Sequence, residues 1–350
     1  MTETGRTTAR EWLLRLGLLV ASLLMSLGLA ELVLALFFPL YGGRDNVTLD
    51  GKPLTEWFPP GTVYRQISNE YDARTTITEK GHRVPGTTGV PDVVFLGDSF
   101  TYGFGLDDAE TFASIYCEAM KVSCANLGIP GSGTSKQVAR LEQFLTTWQW
   151  RPREVKLFFF GMSTAFSNGN DFADNYNYGR RMAAGDGTLV AADESDQPGL
   201  ARGVIDAQGF LLEHSNLVRR AKFHWGPLIK SLIVDDFGER RMQEALRYTR
   251  QGLVAFDSLS RQFGFTYRIY LIVPVQDIRR GTYGATLAAL NSVSPTPVIP
   301  TAELFLEKPE SFYYAYDGHL NAAGSRRIAE LLVTSDRTAP ASSQALDRIP

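Results

Sequence analysis

From Leu16 to Phe38 the chain runs twenty-three residues with a single ionisable side chain, Glu31. As a helix rising about 1.5 Å per residue, the run reaches roughly 34 Å, enough to cross a hydrocarbon core of ~30 Å. A transmembrane helix is therefore expected over residues 16–38. A cleaved signal peptide is the competing reading, but its apolar region covers only about 7–15 residues before a small-x-small site. This run closes instead on Phe37, Phe38, Pro39, Leu40 and Tyr41, so an uncleaved signal-anchor is expected. Arg6, Arg10 and Arg15 precede it, and the positive-inside rule then keeps residues 1–15 cytoplasmic. Everything beyond residue 40 would be exported, to a periplasmic or extracellular face. Glu31 lies about 10 Å below the outer end, where a carboxylate must snorkel, protonate or find a partner. It reads either as snorkelling toward the interface or as a docking point for an integral membrane protein.

The rest of the 350 residues has globular composition, 44% hydrophobic and 11% aromatic, which excludes disordered, collagen-like and coiled-coil chains. With 35 Lys+Arg against 38 Asp+Glu, the net charge of -3 argues against a nucleic-acid partner. Two cysteines are too few for a disulfide scaffold, and they lack the Cys and His spacing of a zinc site. No metal or other cofactor is expected.

Residues 39–90, rich in Gly, Pro, Thr and charge, are expected to form an irregular lead-in wrapped on the following domain. Beyond them apolar runs alternate with helical patterns. Val93–Leu96 is followed by a helical stretch from Glu110 to Met120, then Val122–Asn126, an amphipathic stretch from Lys136 to Trp148, and Val155–Phe160. The series resumes with a long helix around Arg241–Phe263, then Tyr267–Val273, the short Val298-Ile299, and Ala322–Val333. Continuous apolar strands alternating with helices predict a parallel sheet buried on both faces, an α/β sandwich over residues 91–334. The pattern loosens after Ser167, and an insertion, a lid or a substrate platform, is expected over about 176–240. Residues 335–350 are expected as a frayed tail.

In such sheets chemistry collects beyond the strands' C-terminal ends. The first strand leads into Gly97-Asp98-Ser99-Phe100-Thr101-Tyr102-Gly103, where glycine permits a tight turn that presents a serine above the sheet, although Gly-Asp-Ser is also ordinary turn chemistry. The second leads into Asn126-Leu127-Gly128-Ile129-Pro130-Gly131-Ser132-Gly133-Thr134, a Gly-rich loop whose N–H groups can meet an anion or a developing oxyanion. It lacks the Gly-Lys-Ser/Thr of a phosphate-binding loop. The third leads to Ser167-Asn168-Gly169-Asn170-Asp171, where an asparagine amide can serve a tetrahedral oxyanion or merely make a turn. Before the last helix stands Tyr316-Asp317-Gly318-His319-Leu320-Asn321, in which a carboxylate can hold the imidazole's tautomer. His82, His214 and His224 lack such company and read as surface or core residues.

Taken in this order, the four loops resemble the blocks of the SGNH, or GDSL-type, hydrolases: Gly97 to Gly103, Asn126 to Thr134, Gly169 to Asn175, and Asp317 to Gly324. The resemblance covers roughly residues 91–175 and 265–334. It implies a three-layer α/β/α sandwich with a flavodoxin-like parallel sheet, Ser99 as nucleophile, His319 as general base and Asp317 as its orienter. The oxyanion hole it implies consists of the Ser99 and Gly131 N–H groups and the Asn170 amide. Two features depart from the usual pattern. Only Gly318 separates Asp317 from His319, and the third block's asparagine comes late, with Gly161 to Asn168 between the strand and Gly169, so that Asn168 or Ser163 are alternatives to Asn170.

Nucleophile, base, orienter and pre-aimed donors are what acyl transfer requires. The expectation is a membrane-anchored serine esterase or O-acyltransferase acting on O-acylated envelope carbohydrate, with lipid esters as the second substrate class. Aromatic side chains such as Phe172, Tyr176, Tyr178 and Trp225 would line a sugar platform or an acyl groove, or fill core. A reading of another class is a non-catalytic envelope scaffold. Cys117 and Cys124, on the exported side, are left open between a short-loop disulfide and two buried thiols.

Overall fold

The computed structural model describes residues 9–38, 47–49, 52–53, 59–85, 89–162, 170–183, 215–221 and 238–338, which fall into two compact units. One unit comprises Met1–Gly43 with Glu194–Ile233; the other comprises Arg44–Asp193 with Val234–Pro350.

In the first unit, α1 runs from Ala9 to Phe37. Its Arg10–Phe37 stretch is long and apolar enough to cross a membrane, and all its leucines but Leu34 stand exposed. Glu31 is met by its own chain. Its carboxylate accepts from Ser215 Oγ at 2.7 Å, from the N–H groups of Asn216 at 2.6 Å and Leu217 at 3.0 Å, and from Asn216 Nδ2 at 3.3 Å. These donors open a short helix over residues 216–221. Two of that helix's first N–H groups, which lack an intrahelical acceptor, are thereby satisfied, and a carboxylate is the ligand their dipoles favour. Arg220 adds a bond from Nη2 to the Phe38 carbonyl at 2.6 Å.

The second unit is built on five parallel strands, β5 (Val93–Gly97), β6 (Cys124–Asn126), β7 (Glu154–Phe160), β8 (Thr266–Ile272) and β9 (Val298–Pro300), in the order β6-β5-β7-β8-β9. The central strands β5 and β7 are buried at every residue, the signature of a sheet covered on both faces. On one side lie α3 (Phe112–Met120) and the last helix, Ala322–Thr338; on the other, α4 (Thr134–Thr147), α5 (Asp171–Ala183) and the long helix Gly238–Phe263 pack together. This is the expected three-layer α/β/α sandwich with flavodoxin-like strand order. Lys156, wholly buried in mid-strand, is accommodated because Nζ lies 2.8 Å from Glu154 and 2.9 Å from Asp336.

Three features differ from expectation. The lead-in is not irregular: β1 (Val47–Leu49), β2 (Lys52–Pro53), β3 (Val63–Ile67) and β4 (Asp72–Thr76) form an antiparallel sheet in the order β2-β1-β3-β4. In β3 and β4 alternate residues turn inward, and two of these, Gln66 and Thr75, satisfy each other through a 2.6 Å bond. The expected insertion boundary at 176 falls inside α5, whose Phe172, Ala173 and Tyr176 are core. Tyr178 lies on the same helix, and the remainder of the expected insertion is described only over 215–221 and from 238 onward, so Trp225 lies outside the described residues. The final helix runs four residues into the expected tail, and 339–350 lie outside the described residues.

Cys117 and Cys124 form a disulfide with a Cα–Cα distance of 6.1 Å, joining α3 to the start of β6. This closes the alternative that the sequence leaves open.

Candidate active site

Strand β5 delivers Ser99 through a forced geometry. A Cβ on Gly97 would meet the Thr101 side chain and the Phe158 carbonyl, so only glycine lets the chain leave the strand this closely. Asp98 caps the following turn by accepting from the Phe100 N–H at 2.9 Å, and Ser99–Tyr102 makes one helical turn, α2, closed by Gly103 at φ +83°. The loop after β6 runs alongside, with the Leu127 N–H on the Phe95 carbonyl at 2.8 Å and the Ile129 N–H on the Gly97 carbonyl at 2.9 Å. Among the described residues, the Ser99 and Gly131 N–H groups take no part in this backbone bonding.

The serine meets the histidine from the other end of the chain. His319 Nε2 lies 2.7 Å from Ser99 Oγ, and His319 Nδ1 is hydrogen-bonded to Asp317 Oδ1. The imidazole sits against the rings of Phe100 at 4.8 Å and Phe104 at 5.1 Å, which fix its plane. Burial raises the Asp317 carboxyl, but the hydrogen bond and charge of His319, with bonds from the Tyr71 hydroxyl and the His319 N–H, hold it below the usual carboxylate range. A carboxylate that stays ionised can keep Nδ1 protonated and leave Nε2 to accept the hydroxyl proton.

Asn170 is buried, and its Oδ1 accepts from the N–H groups of Phe172 at 3.1 Å and Ala173 at 3.2 Å, capping α5. With Oδ1 used as an acceptor, the only side-chain donor of this residue is its Nδ2. Ser163 and Asn168, the alternative donors, lie outside the described residues. Behind the serine an acidic group is enclosed. Burial pushes Asp98 and Asp171 upward, the charge of Asp98 adding to the rise at Asp171, and pushes Asp174 up to about 6.

Several supporting residues have no signal in sequence motifs. The Tyr71 hydroxyl donates to Asp317 Oδ2 at 2.9 Å. The Glu70 carboxylate accepts from the N–H groups of Ala315, Tyr316 and Asp317 at 2.6, 3.0 and 2.8 Å. Both residues belong to the lead-in, at the turn between β3 and β4. Gln66 Oε1 accepts from the Gly105 N–H at 2.8 Å, and Asp107 and Asp108 accept from the N–H groups of Arg74 and Thr76 at 2.7 and 3.0 Å. The antiparallel sheet is thus joined to both loops that carry the serine and the histidine. Of the other histidines, His82 is core, edge-on to Phe144 and Trp150, and burial lowers it to about 4. His214 and His224 lie outside the described residues.

No protein-family model matches the chain, and no curated protein does. Among solved structures it is similar to a carbohydrate esterase at 12% identity, over 73% of this chain and 67% of that one, with a TM-score of 0.36. It is similar to a G-D-S-L family lipolytic protein from Desulfitobacterium hafniense at 10% identity, over 69% and 97% of the two chains, with a TM-score of 0.37. It is also similar to a catalytic mutant of an acetylxylan esterase from Geobacillus stearothermophilus at 15% identity, over 70% and 94%, with a TM-score of 0.35.

Proposed function

We propose that the chain is an SGNH-type serine esterase or O-acyltransferase, anchored in a membrane by α1, that works through an acyl-enzyme on O-acylated carbohydrate of the cell envelope. The observation that carries this reading is the continuous line of hydrogen bonds from Asp317 through His319 to Ser99 Oγ. In the reaction, Ser99 Oγ attacks the ester carbonyl while His319 Nε2 takes its proton, and the tetrahedral oxyanion is received by the N–H groups of Ser99 and Gly131 and by the Asn170 amide. Collapse breaks the ester C–O bond, and His319 returns the proton to the departing alcohol. Water, or a sugar hydroxyl in the transferase case, then gives its proton to His319 as it attacks the acyl carbon; the acyl–Oγ bond breaks, and His319 returns the proton to Ser99 Oγ.

The anchor confines the site to esters near a membrane surface, which favours an envelope substrate over a freely diffusing one. The exported face assigned to the domain also suits the Cys117–Cys124 disulfide, which persists in oxidising compartments. Wild-type protein is expected to take up a serine-directed fluorophosphonate and to cleave a short-chain aryl ester, and Ser99→Ala to do neither. Equal labelling of the two proteins would point to a scaffold instead. The mass of the adduct trapped on Ser99 with native envelope material identifies the transferred group; an O-acetyl adduct supports carbohydrate, and a long acyl chain points to a lipid ester.

A further inference from the structure

The loop carrying Asp317 and His319 is a tight turn. The Tyr314 N–H donates to the His319 carbonyl at 2.8 Å, the Gly318 N–H returns to the Tyr314 carbonyl at 3.2 Å, and Gly318 occupies the left-handed region at φ +85°. Such a turn points successive N–H groups to one side, and here the three from Ala315 to Asp317 converge on the two oxygens of Glu70. Glu70 is itself set by the β3–β4 turn, where Ser68 Oγ accepts from the N–H groups of Glu70 and Tyr71 at 3.0 and 3.2 Å. The next side chain, Tyr71, is buried between the rings of Tyr314 and Phe104, at 5.0 and 6.2 Å, and its hydroxyl ends on Asp317 Oδ2. A Cβ on Gly105 would strike the Tyr71 ring, so the glycine after Phe104 is what admits the tyrosine.

We infer that Glu70 and Tyr71 are positioning residues for the Asp317–His319 pair: Glu70 fixes the backbone of the loop, and Tyr71 takes the second oxygen of Asp317 and so sets how strongly the carboxylate holds the imidazolium. This rests on the reading of Ser99, His319 and Asp317 as a catalytic triad. Two consequences follow from the chemistry. The Tyr71 phenol, raised far above its ordinary value first by burial and then by the charge of Asp317, remains a donor at every working pH. It therefore draws off part of the carboxylate's charge without competing for the His319 proton. With Tyr71 in place the carboxylate's charge is shared between the bonds from the Tyr71 hydroxyl and from His319; without it, that charge falls on the bond to Nδ1–H, which strengthens. Other titratable groups face the pair. Asp98, below the serine, acts on His319, and Tyr314 and Glu70 flank Asp317 on the lead-in side. None of these is altered by removing the Tyr71 hydroxyl.

The test uses the full chain in detergent micelles, with the four histidines labelled with ¹⁵N in the ring and His319 assigned by its loss in His319→Gln. In Tyr71→Phe, which keeps the ring between Tyr314 and Phe104, the proton resonance of His319 Nδ1–H is expected to move downfield of its wild-type position, because the carboxylate facing it then carries more charge. The plateau of kcat is expected to fall roughly tenfold with little change in KM. An unmoved Nδ1–H resonance overturns the assignment, because a tyrosine that only fills space would leave it unchanged. Should Tyr71→Phe fail to fold, Glu70→Gln tests the same clamp. There the expected outcome is a lower kcat and faster amide exchange at Ala315, Tyr316 and Asp317, and unchanged exchange overturns it. The resonance needs no turnover. If wild type shows no Ser99-dependent activity but the Nδ1–H resonance still moves in Tyr71→Phe, the catalytic reading has failed and the clamp has not.

Discussion

Arg83, wholly buried, donates from Nη1 to the carbonyl of Gly103, the residue that closes the helical turn of Ser99, at 2.5 Å. The same guanidinium reaches the Tyr102 carbonyl at 2.8 Å and the Leu106 carbonyl at 2.5 Å, and Asp108 lies 3.4 Å away as counter-ion. All three carbonyls take a charged donor from it, the Gly103 carbonyl in addition to the Leu106 N–H at 3.1 Å. Arg83→Met is expected to cost about 3–5 kcal/mol in urea unfolding, since Asp108 loses its buried counter-ion and the carbonyls lose a charged donor. Arg83→Lys, with a point charge in place of a fork, should lie between the two. A loss under about 1 kcal/mol for the methionine variant would mean that the carbonyls find other donors.

Asn170 has two separable tasks. Its oxygen caps α5, and its NH2 is the proposed oxyanion donor. Asn170→Ser keeps a capping oxygen but is too short to reach the reacting carbonyl, so kcat is expected to fall by roughly 10²–10³ with KM and stability nearly unchanged. An unaltered kcat would move the role to Asn168 or Ser163, each testable by the same assay.

The Cys117–Cys124 disulfide closes a loop with a sequence separation of 7. Chain entropy then assigns it about 2 kcal/mol, so the double alanine variant should unfold at correspondingly lower urea. Cys124 begins β6, at the end of the sheet opposite the catalytic loops. Esterase activity at moderate temperature should therefore be retained in that variant, and parallel loss of activity and stability would contradict this separation.

Asp174 offers a test by pH. Burial raises its carboxyl to about 6 from 3.8, against the pull of Lys136 and Arg181. The folded chain therefore keeps this proton to higher pH than the unfolded chain. The associated stability is complete below about pH 4 and is lost as pH rises through 6. Asp174→Asn, neutral throughout, should gain on wild type by on the order of 2 kcal/mol at pH 8 and by almost nothing at pH 4. Urea unfolding at both values checks it; a gain independent of pH would place the effect in packing instead.

The sheet was legible because its strands are continuous apolar runs, and Lys156 did not hide β7 because five of its seven residues are apolar. The grouping of Ser99, Asp317 and His319 was legible as well, because the serine follows an apolar strand directly and the aspartate stands two residues before the histidine, ahead of the last helix. The supporting structure was not. β3 and β4 are only five residues long, and inward-facing Gln66 and Thr75 make their alternation look polar until the two are seen bonded to each other. The start of α5 reads as a loop because Asp171 and Asp174 occupy its first turn. Glu70 and Arg83 are charged residues that composition assigns to solvent. What gives each a buried or ordered place is a set of backbone groups, those for Glu70 lying some 245 residues further on, and no local pattern records such a match.

The pairing of Glu31 with Ser215, Asn216 and Leu217 also imposes an order of events. A ribosome completes the long apolar helix while the atoms that will satisfy the one acid of its 16–38 run lie 184 residues ahead, unmade. For most of synthesis that helix holds an open valence, and the chain closes it only after both the first strands of the sheet and the serine turn have been built.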